Sequence, residues 1–268
     1  MLKDITLGQF FPGHSAIHRM DPRTKLILTI VYIVALFVAQ NWISYLVMMV
    51  FLVFCIWLSK IPPKSILRGM KPLVMILVFT GVLNLFFTKE GRVLVDFWGI
   101  TITTGGAERA AFMLVRILML VTSTFLLTYT TSPISLTDGL ESLMNPLKVI
   151  KVPVHELSMM MCIALRFIPT LIEETDKIMS AQKARGADFE SGKLMERAKA
   201  LIPILVPLFI SAFRRADELA TAMECRCYQG GEGRTKMKQL HYQRNDFAAF
   251  GAAALLTAAV IILKKFGM

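Results

Sequence analysis

Long apolar runs constrain this chain more than any other feature of its sequence. They occur at 26–42, 43–58, 72–87, 110–130 and 247–263. Each is close to the ~20 residues that a helix needs to cross a ~30 Å hydrocarbon core. The second and third are near the short limit and require tilt or local thinning of the bilayer. Composition agrees: 55% of the 268 residues are hydrophobic and the mean hydropathy is +0.58, beyond what the core of a soluble domain requires. The expected fold class is therefore an all-α polytopic membrane protein with about five transmembrane helices. The first run starts too deep in the chain, and continues too directly into others, to be a cleaved signal peptide.

Arg19, Arg23 and Lys25 precede the first span, and Lys60, Lys64, Arg68 and Lys71 follow the second with no acid among them. The turn at 40–42 is uncharged, so the positive-inside bias predicts a cytoplasmic N-terminus. Five spans then place 88–109 outside and 131–246 inside, and leave the tail with Lys264 and Lys265 outside, mildly against the same rule. The net charge of +11 is largely this flanking excess, because 131–246 carries 16 Lys/Arg against 14 Asp/Glu. The basic balance therefore gives no support to nucleic-acid binding. Cys55, Cys162, Cys225 and Cys227 form neither a CxxC nor a Cys/His cluster. They are expected to pack as small hydrophobes rather than to hold a metal or a disulfide.

Asp21-Pro22 reads as a helix start: the carboxylate accepts orphan amides and proline takes the first helical position. Pro62-Pro63 separates spans two and three, and Pro72 opens the third. The stretch 92–103 alternates around Gly99 and predicts a small hairpin before Gly105-Gly106. Arg116 inside span four is expected to bond within the bundle or to snorkel. The segment 131–246 is too long for a structureless loop and predicts a cytoplasmic helical domain. Pro133 and Pro146 bracket a short helix over 135–144. Pro153 then begins a long one with an apolar seam at Leu157, Met161, Ala164, Ile168, Leu171, Thr175, Ile178 and Gln182, buried against other helices and bent near Pro169. LIPILVPLFISAF (201–213) predicts a core or interfacial helix. Glu173-Glu174 is expected to pair with Lys177 on the same helix.

A shift of 41 residues aligns Asp176 with Asp217, Ile178 with Leu219, Ala181 with Ala222, Ala184 with Cys225 and Arg185 with Arg226. In each copy the arginine follows an apolar position by seven residues, which returns it to within about 20° of the same face. Small neighbours, Ala184 and Gly186 or Cys225 and Cys227, admit close approach while the guanidinium offers a planar set of donors. That combination suits a helix tip docking in a groove. An ordinary helix stop, with arginine complementing the dipole and glycine capping, explains one such site well and a matched pair less well.

GQFFPGHSAIHRMDPRTKL (8–26), TSPISLTDGLESLMNPLK (131–148), ALRFIPTLIEETDKIMSAQKARG (164–186) and AMECRCYQGGEGRTK (222–236) resemble the transmembrane T-subunit family of energy-coupling factor transporters, the EcfT/CbiQ family, and the similarity runs along nearly the whole chain. The resemblance implies a non-catalytic scaffold in the cell membrane. It would couple two cytoplasmic ABC-type ATPase subunits to an exchangeable S component that binds a vitamin or metal ion. It implies no cofactor of the chain's own, ATP being bound by the ATPases. Three regions follow: a membrane region (1–130), a cytoplasmic coupling domain with two long coupling helices (131–246) and a final transmembrane helix (247–263). The family's paired Ala-Arg-Gly motifs fall on Ala184, Arg185 and Gly186 and on Cys225, Arg226 and Cys227. The second copy keeps the arginine and loses the glycine, so its helix is expected to end differently, or to continue toward Gly230-Gly231.

Three other classes are open to the residues themselves. An intramembrane enzyme would need a nucleophile, carboxylate pair or metal constellation; there is no HExxH, and GGEGRTK (230–236) lacks the GxxxxGK[ST] spacing of a phosphate loop. A secondary transporter would show related membrane halves. An ordinary ABC importer permease would carry one coupling helix per subunit in a pair of subunits.

Overall fold

The computed structural model describes residues 10–87, 93–97, 100–187, 189, 194–231 and 239–265. One compact unit comprises Gly8–Gly139 with Leu240–Met268, and the other is built on Leu140–Gln239. The first contains α1 (Ala16–Arg19), α2 (Pro22–Val38), α3 (Trp42–Ser59), α4 (Pro63–Met70), α5 (Val74–Phe87), α6 (Thr104–Thr130) and α10 (Arg244–Lys265). Helix α7 (Pro133–Met144) straddles the division, and α8 (Val154–Ala184) and α9 (Leu194–Cys225) lie in the second unit.

Local chemistry sets these boundaries. Asp21 Oδ1 accepts from the Arg23 amide at 2.9 Å and Pro22 is the first residue of α2, as the sequence predicts. Lys60, in the left-handed region at φ 57°, ends α3. The third helix starts earlier than expected. Pro63 opens α4, and Pro72 lies inside the 3-10 turn Lys71–Leu73 that leads into α5. A proline at a first turn lacks no needed amide, whereas Pro72 removes one and tightens the path locally. Strands β1 (Val93–Phe97) and β2 (Ile100–Thr103) pair antiparallel as the expected hairpin, with residues 98–99 outside the described set. Thr103 Oγ1 caps the start of α6 by accepting from the Gly106 amide.

Among the described residues, five helical stretches are long and apolar enough to cross a membrane: Trp42–Ser59, Pro63–Phe87, Thr104–Thr130, Val154–Ala184 and Arg244–Lys265. Helix α2, with 17 residues, is at the lower limit of ~17–25 for a spanning helix. Helix α8 meets the length and composition test although the sequence reading placed it inside. The chain is a multi-pass helical membrane protein.

Within lipid, apolar burial drives little association, so packing and polar ties hold the helices together. Helices α2, α3, α6 and α10 pack around Leu36, Met48 and Val260, none with measurable exposure. Arg116 in α6 bonds within the bundle: its Nε donates to the Tyr45 hydroxyl at 2.8 Å, and its guanidinium lies over the Phe37 and Tyr45 rings. A second cluster gathers Ile61, Ile66 and Met70 around Tyr129. Gly69 permits the approach of α4, because a Cβ there would meet the Tyr129 hydroxyl at 2.8 Å.

The two sequence ends of this unit are joined by a buried acid. Asp246, 0% exposed, accepts from the Asp21 amide at 3.0 Å and the Gln243 amide at 2.7 Å. Beside it the Lys25 amine donates to the Thr130 carbonyl, the Thr131 hydroxyl and the His18 carbonyl. Asp246→Ala leaves two amides without acceptors, and Asp246→Asn turns one acceptor into a donor facing an N–H. Both variants are expected to lose about 2–4 kcal/mol, read as a lowered thermal midpoint of the purified full-length chain. An unchanged midpoint in the Asn variant would show that water replaces the carboxylate there.

Candidate functional site

The two predicted arginines each stand at the end of a long helix. Helix α8 runs unbroken through Pro169 to Ala184, and α9 runs through Pro203 and Pro207 to Cys225. Each ending leaves carbonyls without intrahelical partners, and both satisfy them in the same way. After α8 the Gly186 amide donates to the Lys183 carbonyl at 3.0 Å and the Ala187 amide to the Gln182 carbonyl at 3.0 Å. After α9 the Cys227 amide donates to the Glu224 carbonyl at 2.8 Å and the Tyr228 amide to the Met223 carbonyl at 3.0 Å. These are two Schellman closures in register, with Arg185 and Arg226 at the same position in each.

Cys227 corrects the expectation that losing glycine changes the second ending. It takes φ 57°, the left-handed region that Gly186 occupies at φ 88°. A residue with a Cβ pays roughly 1–2 kcal/mol for that conformation, and the two closing hydrogen bonds offset it. Helix α9 therefore stops where α8 stops, and Gly230, at φ 91°, lies in the chain beyond.

Ala184, Arg185, Gly186, Cys225, Arg226 and Cys227 are all exposed. Among the described residues neither guanidinium has a hydrogen bond or ion pair within the chain. Cys225 and Cys227 are free thiols at the surface rather than packed hydrophobes, whereas Cys55 and Cys162 are partly buried.

A cross-helix ion pair positions the tips. Arg215 Nη2 donates to Glu174 Oε2 at 2.7 Å, joining α9 to α8. Glu174 thus bonds across the helices, and the Lys177 expected as its same-helix partner adds a weaker electrostatic attraction. Glu174 and Arg215 are themselves 41 apart, so the shift that aligns the two arginines also aligns the two halves of this pair with each other. Opposite charges at equivalent repeat positions were a readable signal. Each arginine lies eleven residues beyond its own half of the pair, about 16 Å along the helix and within ~20° of the same face.

The far end of α8 fixes the direction in which α9 leaves the crossing. Gly231 rests on His155, so closely that a Cβ would be 2.5 Å from the ring, and the His155 Nδ1 is 3.2 Å from Glu141 Oε1. His155 and Arg185 are roughly 45 Å apart along α8, while Gly231 is only five residues, at most ~18 Å, beyond Arg226. The two arginines therefore lie on opposite sides of the crossing, roughly 20–35 Å apart by chain reach and helix rise.

The apolar seam corrects a further expectation. Leu157 (39%) and Met161 (44%) are exposed rather than buried, as are Leu205, Phe209 and Phe213 in the 201–213 run; the residues of α8 that are buried are Val154 and Ser158. Periodicity identifies an apolar face but not what covers it. Residues 232–236 of GGEGRTK lie outside the described set.

The two endings differ in cost, and substitution should expose the difference. Nothing lies within 4 Å of a Cβ built at Gly186, so Gly186→Ala is expected to weaken that closure through backbone strain alone, by about 1 kcal/mol. Cys227→Gly is expected to strengthen the other closure by up to about 1 kcal/mol. Hydrogen exchange at the amides of Ala187 and Tyr228 reads both: faster at the first in Gly186→Ala, slower at the second in Cys227→Gly. Equal rates in parent and variants would contradict the assignment.

Comparison with known proteins gives the family of the chain. Residues 13–237 match the family described as cobalt transport protein, CbiQ. The energy-coupling factor transporter transmembrane protein EcfT of Thermosediminibacter oceani is 55% identical over 97% of this chain and 98% of its own length. That of Ruminiclostridium cellulolyticum is 52% identical over 98% of each, and that of Bacillus subtilis 46% identical over 98% of this chain and 100% of its own. With a family match across most of the sequence and such identities along whole chains, this protein belongs to the EcfT/CbiQ family of energy-coupling factor transporter transmembrane proteins.

Proposed function

We propose that the chain is the transmembrane coupling scaffold of an ATP-driven importer, and that each helix tip docks in a groove of one ABC-type ATPase subunit. Ala184, Arg185 and Gly186 form one docking tip; Cys225, Arg226 and Cys227 form the other. The observation that carries this reading is the matched pair of exposed arginines, unpaired among the described residues, closed by the same hydrogen bonds and held on opposite sides of one ion-paired crossing. A separation of roughly 20–35 Å suits two separate grooves better than one. In this reading the N-terminus and the coupling unit face the cytoplasm.

ATP binding draws the ATPases together and moves the two tips. Because Glu174 and Arg215 hold the helices at their crossing, displacement of the tips changes the angle between α8 and α9. Their exposed apolar faces, with Phe209 and Phe213 at 61% and 69% exposure, offer a surface to a membrane-embedded S component carrying a vitamin or metal ion. Coupling then requires that the S component's orientations interact differently with the two helix angles. The chain supplies no catalytic group in this account: Glu174, half of its acidic pair, is engaged by Arg215. ATP is bound by the ATPases.

Co-purification of the tagged chain with its ATPases tests the proposal. Arg185→Glu and Arg226→Glu place a carboxylate where a desolvated guanidinium contact is expected, at a cost of about 2–5 kcal/mol for each tip. Each single variant should weaken retention of one ATPase at least ~30-fold, and the double variant should lose both while still inserting in the membrane. Undiminished recovery with the double variant would reduce both arginines to helix stops.

A further inference from the structure

A chamber of about 330 Å³ opens between α1, α2, α3, α6 and α10 in the membrane unit. Its walls are apolar, with Leu28, Phe51, Leu58 and Leu256 among the lining side chains. Most of the polar groups that line it are already engaged, and Asn245 is exposed. Thr29, Ser123 and Thr257 donate their hydroxyls to carbonyls of their own helices, and the Lys25 amine has three acceptors. The interior thus selects for an apolar occupant.

Dimensions narrow the choice. On α10 the lining runs from Asn245 to Thr257, about 18 Å of helix, close to the ~15 Å half-thickness of a hydrocarbon core. An apolar slot of that length matches an acyl chain extended from the headgroup level toward the middle of the bilayer.

Charge at the rim identifies the rest of the molecule. Ala16, Ile17 and Met20 line one edge and Asn245 another; Arg19 and Arg244 adjoin them in sequence, and both are exposed. Among the described residues neither has an ion pair. The nearby acids do not neutralise them, since Asp21 and Asp246 are buried and bonded to backbone amides, and Arg23 pairs with Asp21. We propose that this chamber holds one acyl chain of an anionic phospholipid whose phosphate headgroup sits at Arg19 and Arg244.

The full-length chain, reconstituted in vesicles of equal parts phosphatidylcholine and phosphatidylglycerol and released into detergent, is weighed by native mass spectrometry. The parent should retain one phosphatidylglycerol in preference to phosphatidylcholine. Arg19→Gln and Arg244→Gln should each cut that preference about fivefold, and together roughly thirtyfold, without preventing retention of a lipid. Ala249→Phe, which fills the chamber, should abolish retention of both headgroups. Ala249→Val, a smaller filling that keeps the fold if Phe does not, should weaken it. Equal retention of the two headgroups by the parent, or retention unaffected by either filling variant, would overturn the proposal.

Discussion

In hydrocarbon every backbone N–H and C=O must find its partner within the protein, and most of this structure follows from that requirement. It fixes helices as the spanning elements and leaves unsatisfied groups only at their ends. Those ends are where the chain invests its polar residues. Asp21 and Asp246 cap amides at the start of α2 and just before α10, Lys25 collects two carbonyls and a hydroxyl, and Arg116 ties α6 to the hydroxyl of Tyr45. These ties set helix positions where apolar burial, equal in lipid and in protein, cannot.

Orphan carbonyls at a helix end also shape the two tips. Both helices close with Schellman hydrogen bonds, one through Gly186 and the other through Cys227 held left-handed. Different residues reach one geometry because the carbonyls of a final turn demand it. What the copies share at the decisive position is the arginine. The ion pair between Glu174 and Arg215 adds a common reference point, so that each arginine extends the same distance from the crossing. In the proposed mechanism this symmetry gives both ATPases equal leverage on the membrane part.

Much of this was legible beforehand, and the failures have physical reasons. Most of the spanning helices, though not α8, together with the Asp21 cap, the hairpin and the repeated arginines, follow from runs, caps and spacing that act over a few residues. The exposed faces of α8 and α9 were not legible, because an apolar stripe is the same whether it meets this chain, a partner or lipid. Pro72 was misplaced since two prolines nearby could each start a helix, and only the packing of Ile66 and Met70 on Tyr129 makes α4 part of the path. The left-handed Cys227 goes against local preference; the hydrogen bonds that stabilise it belong to the whole final turn.

The account assigns one scaffold chain two docking tips for two ATPases, whereas an ordinary importer permease contributes one coupling helix from each of two subunits. The most direct measurement is the mass of the intact complex, purified through a tag on this chain and kept native in the spectrometer. One copy of this chain with two ATPase subunits and one further membrane protein is the composition expected. Two copies of this chain per pair of ATPases would contradict it.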